Sequence, residues 1–211
     1  LMQDILALLD EMKIEGPVGC ISHDVGAYVA QKIAQEHPER VSKLFFFDCP
    51  YPGIRARWSQ PSHLKQIWYQ SFNQMPLAAG LGESRDTIRL YFGHFLRSWA
   101  GTETVMMNRL EEWVDNFAKP GNLQGGFNWY IGNHKARFAM MEAGPVEPKV
   151  IDHPTRFLWG GAESVLPAAW MDLLPDYFSD LDASVAEGCG HFVHCEDADL
   201  AAREIRAFFK A

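Results

Sequence analysis

"CISHDVGAYVAQ", residues 20–31, decides how the rest of the chain is read. A short run of small and apolar residues ends at His23-Asp24, passes through Val25-Gly26, and enters a stretch with helical spacing of its apolar residues. A buried strand that turns at once into a helix is the building unit of a parallel sheet. A carboxylate at such a turn costs free energy unless it is solvated, hydrogen-bonded or chemically employed. From local sequence Asp24 therefore has two readings. It is an N-cap of the following helix, a role Asp fills well and that contributes about 1 kcal/mol, or it is a reactive group.

Working outward, residues 1–53 read as helix, strand, helix, strand. "MQDILALLDEMKI" has helical periodicity, Gly16-Pro17 breaks it, and "VGCIS" is a short buried strand. "AYVAQKIAQEHPER" is helical with Pro38 at its end, and "SKLFFFDCP" is a second apolar strand. Residues 54–150 lose the strand pattern. "SHLKQIWYQSFNQM", "SRDTIRLYFGHFLRSWA", "ETVMMNRLEEWVDNFA" and "GGFNWYIGNHKARFAMM" each carry apolar residues at i, i+3, i+4 and i+7, which predicts four or five helices. The strand-helix alternation returns in residues 151–211, with "TRFLWG", helical "AAWMDLLPDYF", "LDASVAEG" and a closing amphipathic "DADLAAREIRAFFK". The fold class is thus α/β, a mostly parallel sheet with flanking helices and an all-helical insertion.

Bulk properties bound the function. The 211 residues are 47% hydrophobic and 13% aromatic, enough to fill a sizeable core. A formal charge of −8 without clustered Lys and Arg argues against nucleic acid as a partner. No apolar run approaches the roughly 20 residues needed to cross a bilayer, so no membrane partner is expected. Cys20, Cys49, Cys189 and Cys195 lack paired metal-ligand spacing and read as reduced thiols of a cytoplasmic protein. Neither a dinucleotide or phosphate loop nor a metal motif is present, so no cofactor and no metal are expected. The helical pattern begins at Leu1 itself, which is expected of a chain entered in its middle.

In an open parallel sheet, reactive groups gather at the carboxyl ends of strands. Three ionisable residues fall there: Asp24 after the first strand, Glu163 after "FLWG", and His191 after "SVAEGCG". An acid, an acid and a final histidine match the chain order of a nucleophile, a supporting acid and a base. Asp48, closing "LFFFDCP", is the alternative acid.

Ser22-His23-Asp24-Val25-Gly26 resembles the nucleophile elbow of α/β-hydrolases, where small residues are expected to flank the turn because Cβ atoms would clash. Asp in the nucleophile position is similar to the epoxide hydrolase and haloalkane dehalogenase branch. "FLWGGAES" resembles that branch's acid motif, with Glu163 where Asp is more usual, "EGCGHFVHCED" its histidine motif, and residues 54–150 its cap. His23 is expected to pack behind the elbow, and His194 to lie at the surface or behind the site. The resemblance implies an α/β-hydrolase core lacking its first strands and the His-Gly-x-Pro loop that completes the oxyanion hole. It further implies attack by Asp24 on a small apolar substrate, an alkyl-enzyme ester, and hydrolysis by a water that His191 activates while Glu163 orients the imidazole. The Val25 N–H is the implied oxyanion donor. "YQSFNQMP" and "FNWYIGN" resemble the settings of the two cap tyrosines that protonate an opening epoxide, giving Tyr69 and Tyr130. Trp68, Phe72, Phe127 and Trp129 then read as pocket lining or plain core. An epoxide hydrolase is the expected function. The alternatives are a dehalogenase, against which Val25 and Gln70 speak, and a catalytically incompetent fragment with an unpaired sheet edge.

Overall fold

The computed structural model describes residues 1–142 and 147–210. Helix α1 (Met2–Glu11) precedes strand β1 (Val18–His23), helix α2 (Val25–Glu36) and strand β2 (Val41–Phe47). Helices α3 (Trp68–Phe72), α4 (Arg85–Ser98), α5 (Glu103–Met107), α6 (Leu110–Phe117) and α7 (Asn122–Glu142) follow. Strands β3 (Thr155–Gly160) and β4 (Leu181–Ala186), then helices α8 (Val193–Glu196) and α9 (Ala198–Lys210), complete the chain. The residues pack as two compact units, Leu1–Ile54 with Glu147–Ala211, and Arg55–Val146.

In the first unit the four strands form one sheet in the order β1-β2-β3-β4, and every pairing is parallel. Parallel neighbours need crossover connections, and α2 supplies the one between β1 and β2. The middle strands read as continuous apolar runs because both faces are covered. Leu44, Phe45, Phe46 and Phe157 are fully buried. Phe46 packs on Phe157 and Phe178, while Phe45 packs on Phe47 and Phe208, so the sheet has aromatic layers on each side. Arg156, almost buried within β3, is held by Glu204 at 2.8 Å and Asp182 at 3.3 Å, which ties α9 to the sheet.

The second unit is all-helical and cored by rings. Tyr91 meets Phe95 at 4.8 Å, Phe92 stacks on Phe117 at 4.0 Å, and Tyr69 meets Phe95 edge-on at 5.4 Å. Helix α4 begins at Ser84, whose side chain accepts from the Thr87 N–H at 3.2 Å.

Three expected helices come out differently. Residues 62–75 give only the five-residue α3, since Ile67 at its start offers no side-chain cap. Residues 103–118 break at Asn108-Arg109 into α5 and α6, and each part still buries its own apolar residue, Met106 or Val114. Residues 168–176 wind as a 3-10 helix with Pro175 inside, where an α-helix would lose a donor and clash. Among the described residues no helix is long and apolar enough to cross a membrane.

Candidate active site

Strand β1 ends at His23, and the chain passes through Asp24 at φ 44°, ψ −117° into α2. A positive φ at a residue with a Cβ costs on the order of 1–3 kcal/mol and persists only where the surroundings enforce it. The Asp24 side chain makes no capping hydrogen bond to α2, so the N-cap reading does not describe this carboxylate. Its Oδ2 lies 3.9 Å from Nε2 of His191. The expectation that Gly26 is needed for space is corrected: a Cβ there would meet only the Ser22 Cβ at 3.8 Å, an ordinary contact. The tightness of the turn resides in Asp24 itself. The Val25 N–H, first of α2, has no hydrogen-bond partner among the described residues and is available to an anion.

His191 sits in the loop after β4 and is 2% exposed. Its Nδ1 is hydrogen-bonded to Oε2 of Glu163. Glu163, in the loop after β3, is itself fixed by the Val165 N–H, which donates to Oε1 at 2.5 Å. The two loops are sewn together by the Gly161 N–H to the Ala186 carbonyl at 3.0 Å and the Ala162 N–H to the Cys189 carbonyl at 2.8 Å. Asp24, Glu163 and His191 thus converge from three strand ends.

Asp48 does not share that hydrogen bond. It closes β2 at φ 38°, fully buried, and its Oδ1 accepts the Gly160 N–H at 2.7 Å. Its Oδ2 is buried without a hydrogen-bond partner among the described residues. Burial, then the charge of Glu163, pushes the Asp48 carboxyl well above the usual carboxylate range. Burial alone would lower His191, but the charge and hydrogen bond of Glu163, with Asp24 adding, outweigh it and hold the imidazole up at about 9. The Asp48 charge is the smallest of the contributions that raise it. Burial works against the Glu163 charge too, yet His191 and the backbone donors hold its carboxyl below the usual value.

Two supporting residues lie beyond the sequence reading. Glu196 Oε1 accepts the backbone N–H groups of Gly190 at 3.0 Å and Phe192 at 3.1 Å, clamping the loop on both sides of His191. An acid in the short helix directly after a glycine-rich turn was the available signal. His23, expected to pack behind the elbow, also bonds: its Nε2–H donates to the His191 carbonyl at 2.7 Å, and its ring lies between those of His191 and His194. Burial, then the charges of the neighbouring histidines, lowers its pKa well below the ordinary value.

The helical unit brings its two singled-out tyrosines together. The rings of Tyr69 and Tyr130 lie 5.8 Å apart and perpendicular, and Gln70 Nε2 approaches the Tyr69 hydroxyl at 3.4 Å. Tyr69 is buried against Phe95 and Trp99. Phe127 belongs to the core of this unit, Phe72 packs on it, and Trp68 remains 39% exposed. Among the described residues, no group of three His, Cys, Asp or Glu side chains is placed to hold a metal ion.

No family model matches the chain. Its sequence relatives include human epoxide hydrolase 4, 23% identical over 100% of this chain and 58% of the relative. Mouse epoxide hydrolase 3 is 24% identical over 82% of this chain and 46% of the relative. The chain therefore spans about half the length of these curated relatives. Among solved structures, the epoxide hydrolase CorEH superposes with a TM-score of 0.80 at 23% identity, covering 99% of this chain and 73% of that one. A Bacillus megaterium epoxide hydrolase does so with a TM-score of 0.80 at 16% identity, covering 100% and 75%. The fold is that of the α/β-hydrolases, with the four parallel strands forming part of the sheet.

Proposed function

We propose that this chain carries the catalytic machinery of an epoxide hydrolase, adding water to a small apolar epoxide to give a vicinal diol. One observation carries the reading: Asp24, held at positive φ and not capping its helix, faces Nε2 of a histidine whose Nδ1 is bonded to a buried Glu163. The relatives' names support the choice of substrate class.

The two half-reactions use different groups. Asp24 needs no base to act as a nucleophile, and one of its oxygens attacks an epoxide carbon as the C–O bond opens. Tyr69 and Tyr130, on what we read as the cap, supply the proton to the leaving oxygen. Water then attacks the ester carbonyl while His191 takes its proton, and the oxyanion forms against the Val25 N–H. Collapse expels the diol oxygen, which takes the proton from His191. The proton of the regenerated Asp24 carboxylic acid restores the tyrosine, so the sum is epoxide plus water to diol. Glu163 fixes the His191 tautomer and balances the charge it gains. The four cysteines are unbridged, in keeping with a reducing, cytoplasmic setting.

His191→Ala leaves the first half intact and removes the base of the second. Incubated with styrene oxide, this variant is expected to gain one substrate mass on the peptide holding Asp24, while Asp24→Asn gains none at short times. An adduct elsewhere, or unchanged diol formation by Asp24→Asn with no aspartate restored, overturns the assignment. A bromoalkane offered in parallel reports the dehalogenase alternative through halide release.

A further inference from the structure

The helical unit contains a cleft of about 370 Å³, within the size range of small-molecule sites. Leu64, Trp68 and Phe138 line it while remaining 51%, 39% and 52% exposed. Large apolar side chains at this level of exposure, gathered around one concavity, mark a binding surface rather than core. The polar lining includes Gln70, Tyr130 and Arg137, and no carboxylate lines it among the described residues.

Arg137 is the informative side chain. In the same unit Arg85, Arg89, Arg97 and Arg109 each hold a carboxylate, at 2.5, 2.5, 2.9 and 3.0 Å respectively. Arg137 makes no ion pair among the described residues. It is half-buried, its Nη2 donates to Gln70 Oε1 at 2.5 Å, and its guanidinium lies 6.0 Å from the Trp58 ring centre. A guanidinium has five N–H donors in a fixed plane, and the Gln70 bond uses one. The rest form a fork that matches a carboxylate, already oriented by Gln70 and Trp58, so little side-chain entropy is lost on binding.

We propose that this cleft binds an organic monocarboxylate, its acid group on Arg137 and its apolar body against Trp68 and Phe138. The inference does not depend on the epoxide reading, because it concerns binding in the helical unit and not turnover.

The test is titration of the full chain with octanoate, octan-1-ol and octylamine by isothermal calorimetry. Octanoate is expected to bind roughly tenfold or more tighter than octanol, the size of effect a charge-assisted hydrogen bond supplies, and octylamine weakest. Arg137→Gln should reduce octanoate to the level of octanol, Arg137→Lys should keep part of the preference, and Trp68→Ala should weaken both ligands alike. Equal binding of octanoate and octanol overturns the proposal. So does a preference that survives Arg137→Gln, or no octanoate binding at millimolar concentration. Should Arg137→Gln lose its helical circular dichroism, the wild-type octanoate-to-octanol ratio and Arg137→Lys decide the matter.

Discussion

His191 is held toward its protonated form, flanked by Glu163 through Nδ1 and by Asp24 3.9 Å from Nε2. A protonated imidazole is no base, and the proposed ester resolves this. Alkylation neutralises Asp24, which removes one of the charges that hold His191 up. On this proposal the pKa would fall from about 9 at the step where the free base is needed. In single-turnover measurements, ester breakdown is therefore expected to rise with pH through a midpoint below 9, while ester formation, which uses no base, does not follow that titration. A breakdown rate flat between about pH 6 and 9 would remove His191 from the role. Asp48 makes the opposite contribution. Its raised pKa means the folded state binds a proton more tightly than the unfolded state, so Asp48 costs stability increasingly as pH climbs above about 4. Asp48→Asn keeps an oxygen for the Gly160 N–H. Its melting temperature relative to wild type should therefore grow as pH is raised above about 4, followed by calorimetry. The sequence put Glu163 ahead of Asp48 as the acid that bonds to the histidine, although both follow apolar strands. It is the approach of the β3 and β4 loops that separates them.

At the scale of elements, the site depends on how closely those two loops pack. Gly160 ends β3, and a Cβ there would fall 2.1 Å from the Gly190 carbonyl oxygen and 2.9 Å from that of Cys189. Both obstacles are backbone of the loop that carries His191, so neither can rotate away. Gly160→Ala is expected to cost roughly 1–3 kcal/mol in urea unfolding, the range for overpacked sites, and to abolish turnover by displacing His191. Gly26→Ala, with its nearest contact at 3.8 Å, is the matched control and should keep most activity. The sequence showed the two middle strands well, since "LFFF" and "FLWG" are apolar on both faces and bounded by turn residues. It was less informative for α3 and the 3-10 segment Ala168–Asp176, where periodicity reports a buried stripe without fixing the winding that presents it. The clamp by Glu196 left only a faint signal, an acid in the short helix after a glycine-rich turn, because a side chain accepting from two backbone donors leaves no spacing pattern.

At the largest scale, the two outer strands of the described sheet differ. Strand β4 carries Asp182, whose carboxylate is paired with Arg156 at 3.3 Å, and a charge on an edge discourages further strands from adding. Strand β1, "VGCISH", has no Lys, Arg, Asp or Glu, pairs only with β2 among the described residues, and leaves Ile21 51% exposed. Helix α1 and its flanking residues present Leu1, Ile5, Leu8 and Met12 to solvent at 62%, 41%, 53% and 60% exposure. A strand edge unpaired among the described residues and an apolar helix stripe in one unit are the features by which chains associate, and a net charge of −8 opposes them only through screened, long-range repulsion. The 211-residue chain is therefore expected to sediment as a concentration-dependent oligomer, more so as salt is raised. Ile21→Lys places a charge on the open edge and should shift the distribution toward monomer. Because Ile21 is half-exposed, the cost to the melting temperature should be small. A chain that stays monomeric at high concentration in 0.5 M salt would show that this edge and stripe are not adhesive. Association that Ile21→Lys leaves untouched would instead point to the face of α1.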